Sequence, residues 1–263
     1  MARHVIKPKR GLLDIDLRAV WHYRDLVYMY IKRDIVTKYK QTILGPVWYV
    51  VQPVLTTVIY MFVFGGLAGI LLWNYFSECF NGSSDIFGQN ASVFGKVYFP
   101  RLVVPIASMI SNLIKMLIQL VLFMVVYLYY ALFTDAQVQM GWSALLFPLL
   151  VVMLALHATS WGLIFSSLTT KYRDLKFLIQ FGLQLFMYAT PIIYPLSVAP
   201  AKYRFILELN PLTPIFEAFK HGWLGVGALS WSGLLYSTLF MGVSVFAGIL
   251  IFSREERTFM DTI

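Results

Sequence analysis

Asn74, Glu78, Asn81 and Asp85 recur at steps of four, three and four along a largely apolar stretch. At helical pitch they share one face. A second set follows at Ser108, Ser111, Asn112, Lys115 and Gln119, and a third at Gln180, Gln184 and Tyr188. Amides and hydroxyls both donate and accept hydrogen bonds, so such faces suit water and hydroxyl-rich ligands. Inside a membrane, polar side chains turn to the bundle interior or to a water-filled space. Three stripes in one chain argue for a hydrophilic path. The competing reading is interhelical hydrogen bonding with no path, at about 1 kcal/mol a contact.

Glu78 and Lys115 have a further relation. They stand at nearly equal distances on either side of Val97, where the chain is expected to turn. In an antiparallel hairpin they reach similar depth. An isolated charge at the bilayer centre costs at least ~2.5 kcal/mol, which favours a pair. The other reading has Lys115 snorkelling and Glu78 protonated or near the surface.

Bond-breaking chemistry has no visible constellation. There is no G-x-x-x-x-G-K-[ST], no H-E-x-x-H and no G-x-S-x-G. His4, His22, His157 and His221 are scattered, and the spans hold too few carboxylates to name a general acid and base. Cys79 is the single cysteine, which excludes a disulfide framework and a cysteine-based metal site. No cofactor is expected on this chain, so any work it performs draws on another subunit or an ion gradient. Trp73, Tyr75, Trp142, Tyr188, Tyr194, Trp223, Trp231 and Tyr236 form an interfacial aromatic belt or, alternatively, a stacking surface for sugar rings.

The elements that must position these residues follow from composition. Of 263 residues, 59% are hydrophobic and only 13% charged, against about half and a quarter in soluble domains. Soluble and disordered classes are excluded. The expected fold is all-α and integral to the membrane, because lipid offers no partner for an open backbone. Net charge is +8, yet ten basic residues lie before Gly45, which marks a cytoplasmic arm rather than a nucleic-acid surface. No apolar run follows the first charges within signal-peptide range, so no cleaved signal is expected.

Residues 1–45 are expected to form that arm, and residues 46–263 a six-helix transmembrane domain. The spans fall at approximately 46–70, 71–90, 102–133, 144–168, 175–194 and 229–252. Six spans place both termini in the cytoplasm, with seventeen basic residues inside against three outside. Within the arm, Leu17, Val20, Trp21, Val27, Tyr28, Ile31 and Ile35 recur at helical spacing and predict an amphipathic interface helix, with Asp14 or Asp16 as its cap. Spans one and two meet at Ile70–Leu71 with no connector. Either Gly65, Gly66 and Gly69 make the turn, or residues are missing there; the second is the expectation. Pro200, Pro211 and Pro214 punctuate residues 197–227 into two short re-entrant or interfacial helices. Ser244 and Gly248 suit close helix contact.

The order of motifs resembles a known family. A basic amphipathic helix leads into Tyr39-Lys-Gln-Thr-Ile-Leu-Gly-Pro-Val-Trp48, then Gln52-Pro53, Lys171-Tyr-Arg-Asp174, Thr190-Pro-Ile-Ile-Tyr-Pro195 and Asn210-Pro-Leu-Thr-Pro214. This is similar to the permease subunit of type-2 ABC exporters, in the branch that exports lipid-linked O-antigen, capsule or teichoic acid. The departure is the short first hairpin. The resemblance implies a homodimer in the bacterial inner membrane with two copies of a separate ATPase that holds ATP and Mg. It implies a lipid-linked polysaccharide passing between the two copies, past Asn74, Glu78, Asn81, Lys115, Gln180, Gln184 and Tyr188. Contact with the ATPase falls to the interface helix and the turn carrying Lys96, Tyr98, Phe99 and Arg101, with Arg173 and Asp174 as a second contact. Asn210 and Trp223 gate the outer end. Rival readings are a type-2 exporter of another cargo, a lipid-linked glycosyl- or acyltransferase, and a secondary transporter. No internal repeat between the halves supports the last.

Overall fold

The computed structural model describes residues 17–37, 47–48, 50–55, 67–94, 99–133, 140–172 and 174–261. Among these there is no strand. Helix α1 (Leu17–His22) is followed by α2 (Arg24–Thr37), and the two are separated at Tyr23, whose carbonyl accepts from the Leu26 and Val27 amides (2.9 and 3.1 Å). That break changes which residues face inward. Tyr30 is buried, with Tyr23, Leu26, Val27 and Ile31 packed beside it. Trp21 and Tyr28, expected on the same apolar face, are 72% and 66% exposed. Counting from Tyr23, the inward stripe runs through 26, 27, 30 and 31, and Tyr28 lies a quarter-turn off it.

Helix α3 (Leu67–Ser84) passes through Ile70 and Leu71 without interruption, so the boundary expected between spans one and two is corrected. Gly69 is a helix residue, and its missing Cβ lets the chain approach the Ile192 backbone closely. Gly65 and Gly66, and with them the connector, lie outside the described residues. The helix then breaks at Asp85, where Thr169 Oγ1 donates to the Ser84 carbonyl (2.6 Å), and resumes as α4 (Ile86–Phe94). Gly82, Ser83 and Ser84 are weak helix formers and suit such an end. The expected span over 71–90 is thus two helices.

Helix α5 (Val103–Phe133) places Pro105 in its first turn, where a missing N–H costs nothing. A short 3-10 turn (Trp142–Leu146) leads into α6 (Phe147–Lys171). Helices α7 (Leu175–Tyr188), α8 (Ala201–Leu209), α9 (Thr213–Leu224) and α10 (Trp231–Asp261) complete the chain. Gly225 ends α9 in the left-handed conformation (φ 67°) that glycine adopts without strain.

Helix α6 is the centre. It packs most extensively on α3 and α10, and α5 covers the other side of α3. Small residues set the distances. A Cβ on Gly162 would lie 2.8 Å from the Phe80 carbonyl, and one on Gly248 would lie 2.8 Å from that of Ser160. Ser160 Oγ donates to Ser244 Oγ (3.1 Å), so the expected close contact at Ser244 and Gly248 is made, with α6 as the partner. The main core joins Leu72, Phe76, Leu154, Ile215 and Phe219; a second core joins Tyr30, Phe87, Phe94, Phe99 and Phe252.

Among the described residues three stretches are long and apolar enough to cross a membrane: Val103–Phe133, Trp142–Lys171 and Trp231–Glu255. Helix α7 is apolar but has 14 residues, about 21 Å at 1.5 Å per residue, so it ends well before the Tyr194 limit expected for span five. Helices α8 and α9 are the short pieces expected between spans five and six.

Candidate functional site

The polar faces of α3 and α5 meet in one groove. Lys115 Nζ, on α5, lies 2.8 Å from Glu78 Oε2, on α3, so the two residues at matched depth form an ion pair. Asn112 Nδ2 donates to Ser108 Oγ (3.5 Å), and Asn81 Nδ2 to Ser77 Oγ (3.4 Å). Two cavities flank the pair and share Glu78, Asn112 and Lys115. One, of about 160 Å³, includes Gln52, Asn74, Ser77 and Gln119. The other, of about 260 Å³, lies towards α2 and includes Arg33, Asn81, Gln89 and Ser108. Four of the expected path residues, Asn74, Glu78, Asn81 and Lys115, therefore share one site.

The other three do not join it. Gln180, Gln184 and Tyr188 are exposed along α7, and neither glutamine lines the groove. Tyr188 borders a separate cavity of about 430 Å³ with Tyr194 and Tyr203.

The end of the groove next to α2 is held by aromatic and charged contacts. Arg33 Nη1 donates to Asn90 Oδ1 (3.2 Å), its Nη2 lies 2.9 Å from Asp34 Oδ1, and its guanidinium sits 4.3 Å from the centre of the Tyr30 ring. Burial pushes the Tyr30 phenol above its ordinary range, and its hydroxyl has no partner among the described residues. The Tyr30 and Phe99 rings are 6.0 Å apart. Phe99 (5% exposed) and Arg101 (4%) face the chain's own core, with Arg101 over the Phe94 ring at 5.1 Å. Within the chain their neighbours are the apolar surfaces of α2 and α4. Asp174 is exposed at the start of α7. Lys96, Tyr98 and Arg173 lie outside the described residues.

Asn210 and Trp223, expected at an outer gate, are buried. Asn210 Nδ2 donates to Thr190 Oγ1 (2.9 Å), and its Oδ1 accepts from the Leu212 amide (3.0 Å). Trp223 packs edge-on against Phe123 and Phe147. Both brace the segment between α7 and α10.

Two ion pairs escaped the sequence. Glu217 and Lys220 on α9 have side chains 5% exposed and an N–O distance of 3.2 Å. Lys220 Nζ also donates to the carbonyls of Pro191 and Tyr194 (2.6 Å for Tyr194), and Glu217 Oε1 accepts from the Leu196 amide (3.2 Å). Their spacing of three in an apolar helix was the available signal. Asp85 at the α3–α4 break pairs with Lys176 (2.7 Å), 91 residues away, and no local pattern announces it. His157 Nε2 meets Ser237 Oγ (3.2 Å) inside the α6–α10 contact, a structural role. Among the described residues no cluster could hold a metal ion.

The family model for ABC-2 type transporters matches residues 25–224. The chain belongs to the ABC-2 type transporter family. Among curated relatives it is similar to an O-antigen export system permease protein RfbA of Klebsiella pneumoniae, 24% identical over 251 residues, which cover 90% of this chain and 94% of the relative. A second Klebsiella pneumoniae protein of the same name is 26% identical over 242 residues, covering 84% and 91%. One from Myxococcus xanthus is 25% identical over 219 residues, covering 78% and 82%. The expected type-2 ABC permease, similar to the O-antigen branch, is thereby borne out. This ABC-2 permease is a multi-pass membrane transport subunit, not an enzyme.

Proposed function

We propose that this ABC-2 permease moves a lipid-linked polysaccharide of the O-antigen type across the bacterial inner membrane, through a path formed with a second copy of itself. Two copies of a separate ATPase hold ATP and Mg and supply the energy. The observation that carries the reading is the Glu78–Lys115 pair set among amides and hydroxyls on two facing membrane helices. A pair placed there is costly unless water or a polar cargo shares the groove.

Six spans with cytoplasmic termini are part of the proposal. Helices α5, α6 and α10 supply three, α3 and α7 two shorter ones, and the stretch around 47–55 belongs to the first. Closure of the ATPase dimer presses on α2 and on the turn between α4 and α5. The second core joins those elements, so they move together. Gln180, Gln184 and Tyr188 on the exposed face of α7 complete the path across the seam with the second copy, and the braced segment of α8 and α9 covers the outer end.

Deletion of the gene tests the reading. Surface polysaccharide should disappear while its lipid-linked form accumulates inside, and the gene together with its ATPase partner should restore export. Unchanged surface polysaccharide in the deletion strain would overturn the cargo.

A further inference from the structure

The cavity between α2, α3 and α5 has a chemical character of its own. Its charges cancel in place: Arg33 is held by Asp34 at 2.9 Å, and Lys115 by Glu78 at 2.8 Å. The wall adds Asn81, Gln89, Asn90, Ser108, Ser111 and Asn112, and the Asn112–Ser108 and Asn81–Ser77 bonds use only part of the capacity of their amides. An amide offers both a donor and an acceptor, and so does a sugar hydroxyl. A phosphate, in contrast, needs cations not already committed to carboxylates. The volume of about 260 Å³ is ample: a water's share of liquid is about 30 Å³, so the space holds on the order of nine.

We infer that this cavity is a binding subsite for one uncharged sugar unit, entered from the α2 side and bounded at its far end by the Glu78–Lys115 pair. Its walls as described come from one copy of the chain. The inference rests on the polysaccharide reading above and deepens it. Its ring-free lining holds a sugar by hydrogen bonds alone, exchanged with water at little net cost, so occupancy is brief. A passing polymer can therefore leave the subsite as readily as it enters.

Cysteine protection tests it on the full permease with its ATPase. Cys79 is buried and the chain has no other cysteine, so the unaltered protein sets the background. Asn81→Cys reports from inside the cavity. Gln89→Cys, at an exposed position on its wall, serves if the first variant does not fold. Inside-out vesicles are labelled with a charged maleimide in the presence of mannotetraose or of pyrophosphate. Mannotetraose should slow labelling at least fivefold, pyrophosphate should not, and a control at Arg254→Cys, exposed near the end of α10, should keep its rate. No labelling, no protection, or protection by pyrophosphate alone would overturn the subsite. The deletion strain separates the two failures: lost surface polymer with no protection sinks the subsite and leaves the cargo standing, whereas retained polymer sinks the cargo itself.

Discussion

Lys220 Nζ reaches Glu217 Oε1 at 3.2 Å within α9 and donates at the same time to the Pro191 and Tyr194 carbonyls. All three ammonium hydrogens are thus committed, and the pair binds the turn after α7 to the helix beneath it. Removing one partner of such a buried pair leaves the other uncompensated, at about 3–5 kcal/mol. Lys220→Met should lower the midpoint of thermal unfolding in detergent sharply. The double change Glu217→Gln with Lys220→Met should lower it less than Lys220→Met alone. Equal midpoints for the single variant and the unaltered chain would refute the brace.

The Glu78–Lys115 pair is only partly buried, with side chains 45% and 17% exposed, so its contribution to folding is small. Its effect should appear in export. Glu78→Ala and Lys115→Ala should each reduce surface polymer, and the exchange Glu78→Lys with Lys115→Glu should recover more than either single reversal. A double-mutant cycle on export rate measures the coupling. Additive losses would mean that the two charges act separately.

Gly162 and Gly248 predict steric failures. Each faces a backbone carbonyl 2.8 Å from where a Cβ would stand, and a backbone cannot swing aside as a side-chain tip can. Gly162→Val and Gly248→Val should each cost about 1–3 kcal/mol or more. Gly182 and Gly242 have open space, so alanine there should leave the melting profile within error.

Tyr30 and Phe99 predict a shared defect. Alanine at either opens the second core, at about 3–5 kcal/mol for the phenylalanine. Because the rings touch, the double variant should lose less than the two losses added. Tyr98→Ala should separate ATP hydrolysis from export in reconstituted vesicles. Coupled transport in that variant would remove the turn from the coupling route.

Much of this was legible in the sequence because helical periodicity and depth are local quantities. The steps of four and three put Asn74, Glu78 and Asn81 on one face, and equal distance from a turn put Lys115 opposite. The close approach at Ser244 and Gly248 was likewise visible, though not that α6 receives it. The failures have a common cause. The interface helix is broken at Tyr23, and the register that buries Tyr30 beside Leu26 and Val27 follows from a break that no local pattern marks. Thr169 reaching the break at Ser84, and Lys176 reaching Asp85, are long-range contacts with no local trace. Lys220 is one of the three basic residues expected outside, and charge counting carries no information on its burial against Glu217.

On one flank of α6 a main chain stands against Gly162, and on another Gly248 rests on its Ser160 carbonyl. Side chains can trade rotamers to let one helix slip past another, but the carbonyls at these meeting points cannot. Helix α6 is therefore the keel of the molecule, with α3 and α10 riveted along it. Helix α7 touches it sparsely and is moored at its ends instead, by Lys176 on Asp85 and by Lys220 on the turn that follows it.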